Sequence, residues 1–113
     1  MDANWTEELG VGCTVLDTDG TIVYLNKKAC KIFEKDGGAA LLGKNALDCH
    51  PEPARTKLAG MLKEPYTNAY TIEKGGVKKL IYQTPWHRDG KYCGIVELSL
   101  ELPQEMKHFV RKP

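Results

Sequence analysis

Apolar and polar positions divide the chain into a β block, a helical block and a second β block. Residues 11–16 are rich in β-formers and run into Asp17-Thr18-Asp19-Gly20, a turn sequence in which Gly20 can take positive φ. Thr21-Ile22-Val23-Tyr24-Leu25 resumes the β pattern, so residues 11–25 read as a hairpin. Asn26 then stands where a helix N-cap belongs. Ala29, Ile32 and Phe33 form the apolar stripe of a short helix that stops near Asp36-Gly37-Gly38. Residues 39–50 read as one or two helical turns, since Gly43 interrupts Ala39-Ala40-Leu41-Leu42. A firmer helix follows, with Pro51, Glu52 and Pro53 in its first turn, Ala54, Leu58, Met61 and Leu62 on one face, and Pro65 as its stop.

Three strands close the pattern, at 68–74, 79–86 and 92–102, joined by Gly75-Gly76 and Asp89-Gly90. Alternation groups Tyr70, Ile72, Leu80, Tyr82, Thr84, Trp86, Val96 and Leu98 on the face turned to the helices. Ile81, Cys93 and Ile95 fall on the opposite face. Pro85 marks a bulge or an edge position. The expected fold is α+β, a five-stranded antiparallel sheet with helices packed on one face.

The length, 113 residues, suits one compact domain, which buries roughly two-thirds of its unfolded surface without staples. We divide it into an N-terminal cap (1–10), a folded core (11–102) and a C-terminal tail (103–113). With 42% hydrophobic and 27% charged residues, the chain is neither disordered nor collagen-like nor a coiled coil. The net charge of +1 gives no footprint for nucleic acid. Five acids and no Lys or Arg occupy residues 1–26, and Lys27, Lys28, Lys31 and Lys35 form the wet face of the first helix. No apolar run reaches the roughly 18 residues of a membrane span, and residues 1–5 lack a signal-peptide layout, so we expect a cytoplasmic protein with no membrane partner. Cys13, Cys30, Cys49 and Cys93 form no C-x-x-C pair, which points to reduced thiols and no metal site.

Three segments carry a family resemblance. Val15-Leu16-Asp17-Thr18-Asp19-Gly20-Thr21-Ile22-Val23-Tyr24-Leu25-Asn26 resembles the opening hairpin of PAS domains. Leu42-Gly43-Lys44 followed by His50-Pro51-Glu52 resembles their middle segment, and residues 89–96 their last turn and strand. Cys49-His50-Pro51 with Gly90-x-Tyr92 also resembles PAS segments attached to hemerythrin-like domains in uncharacterised bacterial proteins, which implies a bacterial or archaeal source. The resemblance implies a sensor of small molecules, gases, redox state or light that dimerises and signals through another domain. Only about eleven residues follow the last strand here, so we expect output through a separate protein partner or through dimerisation.

No bound cofactor is the main expectation, and the resemblance raises two, haem and flavin, against it. His50 is a candidate haem ligand, and a haem redox or gas sensor using His50 or Cys49 is the alternative reading. Against it, a histidine at this helix start also suits a bond to local backbone. Oxygen-sensing haem PAS domains carry Pro-Glu-Pro-x-Arg-x-x-His; Pro51-Glu52-Pro53-Ala54-Arg55-Thr56-Lys57-Leu58 matches that frame but places Leu58 at the ligand position, and leucine cannot coordinate iron, so that mode of haem binding is excluded. Flavin photosensors carry Asn-Cys-Arg-Phe-Leu-Gln, whereas Asn45 is followed by Ala46 and Cys49 lies a turn later. No nucleophile–base pair or phosphate-cradling loop stands out, so we expect no enzymatic activity.

What remains is the space between helices and sheet. Leu42, Leu47, Leu58, Met61, Leu62, Tyr70, Ile72, Leu80, Tyr82, Thr84, Trp86, Val96 and Leu98 have the expected register to line it. These residues describe a pocket for a small apolar or aromatic ligand, and equally a core filled by Trp86, Tyr82 and Met61. Trp5 and Leu9, four residues apart with Asn4 as a cap, share a helical face. With Ile81 and Ile95 they form a candidate homodimer surface, or else they cover their own sheet.

Overall fold

The computed structural model describes residues 3–113, with side chains from Trp5 onward. Met1, Asp2 and the capping role expected of the Asn4 side chain lie outside the described residues. Five strands form one antiparallel sheet: β1 (Gly12–Leu16), β2 (Ile22–Leu25), β3 (Asn68–Lys74), β4 (Val77–Arg88) and β5 (Lys91–Leu102), in the order β2-β1-β5-β4-β3. Between β2 and β3 come α1 (Lys27–Ile32), three short 3-10 turns (Glu34–Asp36, Gly38–Leu41, Ala46–Cys49) and α2 (Ala54–Lys63). The α+β expectation holds, and the helical block covers one face.

The core lies between that block and the sheet. Ile95 of β5 and Leu16 of β1 are direct cross-strand partners, and both join Ile22, Leu25, Ala29, Leu41, Ala46, Leu58, Met61 and Leu62 in one buried cluster. Asn26 caps α1 as its sequence position predicts, its Oδ1 accepting the Ala29 N–H at 2.9 Å. Tyr92 fastens the far end, donating its phenol O–H to the Leu62 carbonyl at 3.0 Å.

Gly94 is required by a close approach. A Cβ there would sit 1.9 Å from the Leu16 carbonyl oxygen, and its φ of +138° is one that side-chain-bearing residues rarely adopt. Trp86, its partner on β4, donates its indole N–H to that carbonyl at 3.0 Å. The ladder shifts register directly after Trp86. Pro85 lies past the end of β3, whose pairing with β4 stops at Gln83, so its missing N–H breaks no bond to that strand.

The register corrects the expected faces. Ile81 and Ile95 are 7% and 1% exposed and point to the helices, so neither belongs to an outer patch. Leu80, Tyr82, Thr84, Trp86, Val96 and Leu98 lie on the alternate positions, on the sheet's outer face. The cause is chemical: the inward row of β4 and β5 contains Gln83, Glu97 and Ser99, whereas the outward row is almost wholly apolar. Choosing the more apolar row as the buried one therefore slips the phase by one residue.

Candidate functional site

The segment that carries the middle motif is pinned before it reaches the site. Ile22 N–H donates to the Lys44 carbonyl and Gly43 N–H to the Ile22 carbonyl, each at 2.8 Å, so residues 43–44 run along the β2 edge. Asn45 then caps the Ala46–Cys49 turn through the Leu47 N–H at 2.9 Å and ties it to the hairpin through the Asp19 carbonyl at 2.9 Å. This seats Cys49 and His50 at the mouth of a cavity between the helical block and the sheet.

That cavity has a volume of about 380 Å³. Its walls are Leu16, Ile22, Leu25, Phe33, Leu41, Ala46, Leu58 and Ile95, its polar floor is Thr14, Gln83 and Glu97, and Asp36, Lys44, Cys49 and His50 stand with them. A second hollow of about 390 Å³ adjoins it, lined by His50, Pro53, Ala54, Lys57, Leu58, Met61, Asn68, Tyr70 and Gln83. His50, Leu58 and Gln83 border both.

The floor is ordered by hydrogen bonds across three strands. Asn68 on β3 donates its Nδ2–H to Gln83 Oε1 on β4 at 2.9 Å, and Gln83 donates its Nε2–H to Glu97 Oε1 on β5 at 2.7 Å. The three residues are direct cross-strand partners, and Thr14 on β1 continues the row opposite Glu97. Tyr70, on the same face, has its phenol pushed above the ordinary tyrosine range, first by burial and then by the Glu97 charge.

His50 Nδ1 lies 2.6 Å from the Ala46 carbonyl oxygen. A carbonyl only accepts, so Nδ1 donates, the tautomer that in an uncharged imidazole leaves the lone pair on Nε2. The local backbone bond expected of this histidine is thus present. Cys49 is exposed, its Sγ 3.6 Å from the Asn45 carbonyl. All four cysteines are free thiols, and burial pushes Cys13 up. Among the described residues, no three His, Cys, Asp or Glu side chains gather as a metal site would require.

Of the residues expected at the pocket, Leu58 borders both hollows, and Met61 and Tyr70 line the second. Leu62 is buried in the core and Leu47 packs against it. Leu42 is 57% exposed and Ile72 is 40% exposed, away from the cavity walls. Leu80, Tyr82, Thr84, Trp86, Val96 and Leu98 are on the far face of the sheet, so Trp86 and Tyr82 do not fill the space. The sequence does not single out the apolar walls Leu16, Ile22, Leu25, Phe33, Leu41, Ala46 and Ile95, nor the polar floor of Thr14, Gln83 and Glu97. The floor's signal is three polar residues, Asn68, Gln83 and Glu97, at matching positions of consecutive strands.

No curated protein matches the chain significantly. Among solved structures, the Aer2 receptor of Vibrio cholerae, a dual PAS-heme oxygen sensor, is 20% identical over 82% of this chain and 95% of its own, with a TM-score of 0.59. The PAS domain of an HTR-like protein from Haloarcula marismortui is 15% identical over 88% of this chain and 87% of its own (TM-score 0.61). The PAS domain of Bordetella pertussis BvgS is 17% identical over 88% and 82% (TM-score 0.62). These likenesses establish the fold. The family model for the PAS fold matches residues 3–95, and the chain belongs to the PAS family.

Proposed function

We propose that this chain is a sensory PAS module that holds a small organic molecule between its sheet and helices and signals through a protein partner or a second copy. Residues 11–102 form the sensing unit, 1–10 a cap and 103–113 a tail. The observation that carries the reading is the cavity of about 380 Å³, with mostly apolar walls and an ordered polar floor. That composition is what ligand sites have in common. Its chemistry is that of binding rather than turnover.

The output surface follows from the corrected register. Tyr82 is 38% exposed on an outer face shared with Leu80, Val96 and Leu98, and Trp5, within the cap, is 63% exposed. An apolar sheet face of this kind suits a second copy or a partner protein.

Native mass spectrometry of protein purified under mild conditions tests the sensing role. A bound small molecule released on denaturation, and lost when Leu58→Trp fills the cavity, supports it. Overturning it takes a wild-type protein that carries nothing and whose melting temperature no member of a small-molecule library raises.

One observation favours a haem sensor as the second reading. His50 Nδ1–H on a backbone carbonyl leaves Nε2 free, the arrangement usual for a metal-ligating histidine. His50 is therefore the residue that would hold the iron. Haem held by His50 would supply a gas-binding or one-electron redox centre. Hemin titration followed by the Soret band, in wild type and His50→Ala, decides between the readings.

A further inference from the structure

We infer that the cavity selects an organic cation, a protonated amine on an apolar or aromatic body, with its ammonium held by Glu97. The inference rests on the ligand-sensing reading above and names the ligand class.

The charge of the floor is one-sided. Gln83 is locked between a donor and an acceptor: its Oε1 takes the Asn68 N–H and its Nε2 faces Glu97, so turning the amide over would break both bonds. The relay therefore ends on a carboxylate whose position is fixed and whose Oε1 is already occupied. The ion pairs among the described residues are Lys27–Glu8 and Lys28–Glu101, and Glu97 is in neither. Its Oε2 accepts no protein hydrogen bond among the described residues and, since no buried side-chain oxygen there lacks a partner, it stays open to solvent from the cavity side. Asp36 and Lys44, which line the same cavity, oppose one another in sign, and neither forms an ion pair with Glu97.

An anion without a counter-charge among Leu16, Leu25, Leu58 and Ile95 disfavours two classes of ligand. A second anion is repelled. A purely apolar molecule strips water from the carboxylate and returns no bond, which costs more than its own burial returns. An ammonium satisfies the carboxylate with a charge-assisted hydrogen bond in a medium less polar than water. Tyr70, close enough for its phenol to feel the Glu97 charge, lines the adjoining hollow and would put an aromatic ring near the same cation. The apolar walls take the body of the ligand, and Thr14 completes the polar edge.

The test uses three near-isosteric probes on the full chain at neutral pH: phenethylamine, 2-phenylethanol and 3-phenylpropionate, with affinities measured by calorimetry. We expect the amine to bind about tenfold or more tightly than the alcohol, and the propionate not at all. Glu97→Gln, which keeps the shape and the Gln83 contact, should erase the preference for the amine while its melting temperature shows it folded. Equal binding of amine and alcohol, or an amine affinity unchanged in Glu97→Gln, overturns cation selection and leaves the ligand-sensing reading in place. Failure of all three probes overturns the inference as well. The mass spectrometric experiment then separately decides the sensing role.

Discussion

Asn26 and Cys13 hold each other by two hydrogen bonds. Asn26 Oδ1 accepts the Cys13 N–H at 3.0 Å, and the Asn26 N–H donates to the Cys13 carbonyl at 3.1 Å. The same side chain accepts from Ala29 N–H and donates to the Thr6 and Val11 carbonyls, at 2.8 to 2.9 Å, and none of it is exposed. One amide thus joins the N-terminal segment, β1 and the start of α1. Removing it leaves two buried N–H groups unpaired, well beyond the cost of an ordinary cap. Asn26→Ala is expected to lose about 3–5 kcal/mol in urea unfolding, a large part of the stability of a domain this size. A loss of about 1 kcal/mol would reduce Asn26 to a simple N-cap.

Gly94→Ala probes the crossing of β1 and β5. Its Cβ meets backbone, the Leu16 carbonyl oxygen, rather than a yielding side chain. The expected loss is about 3 kcal/mol or more, or no folded protein at all. Where the variant does fold, Trp86 emission should shift to the red, because the indole loses the Leu16 carbonyl. A variant with wild-type stability and emission would refute the close approach.

The local features and the place of the cavity between helices and sheet were legible in the sequence, and most of its lining was not. The hairpin, the Asn26 cap, the stripe of Leu58, Met61 and Leu62, and the 68–74 strand each depend on neighbours within a few residues. Which face of β4 and β5 turns inward depends on the whole sheet. There the inward row carries Gln83, Glu97 and Ser99 and the outward row Tyr82, Val96 and Leu98, so local apolarity points the wrong way. The misreading has a physical cause: a cavity floor needs polar groups, and an interaction face needs apolar ones.

The three tyrosines whose phenols are raised, Tyr24, Tyr70 and Tyr92, set an alkaline limit. Burial is the first cause in each. A native value above the unfolded one means that the folded state holds the proton more tightly. Their contribution is therefore full below about pH 10, the unfolded tyrosine value, and is lost as pH rises through the native values. Tyr92 also needs its proton to donate to the Leu62 carbonyl. Urea unfolding at a series of alkaline pH values should show stability falling, with a shallower fall in Tyr92→Phe. Identical slopes in the two proteins would remove Tyr92 from this account.

The outer face predicts assembly. If a second copy covers it, Leu98→Asp buries a carboxylate in that interface and should raise the dimer dissociation constant by at least about a hundredfold. Trp5→Ala should remove on the order of 2 kcal/mol of association energy, as anchoring tryptophans do. Sedimentation equilibrium over a concentration series measures both. A wild-type chain that stays monomeric at high concentration would assign the face to a different protein.

Leu58→His tests whether the Pro51-Glu52-Pro53-Ala54-Arg55 frame carries the geometry of the haem-binding domains it resembles. Leu58 sits 6% exposed on α2 and borders both hollows, so an imidazole there opens onto the same space as His50. The substitution replaces a buried apolar side chain with a polar one and should cost about 1–3 kcal/mol in the absence of a ligand. Binding of hemin should offset that cost, because a ligand that binds only the native state stabilises it in proportion to its excess over the dissociation constant. The expected result is a Soret band on reconstitution together with a rise in melting temperature in Leu58→His. The double variant with His50→Ala shows which imidazole ligates the iron: a band that survives assigns it to position 58. If Leu58→His gains neither a band nor thermal stability from hemin, the cavity is shaped for a smaller guest, as an ammonium ligand on Glu97 requires.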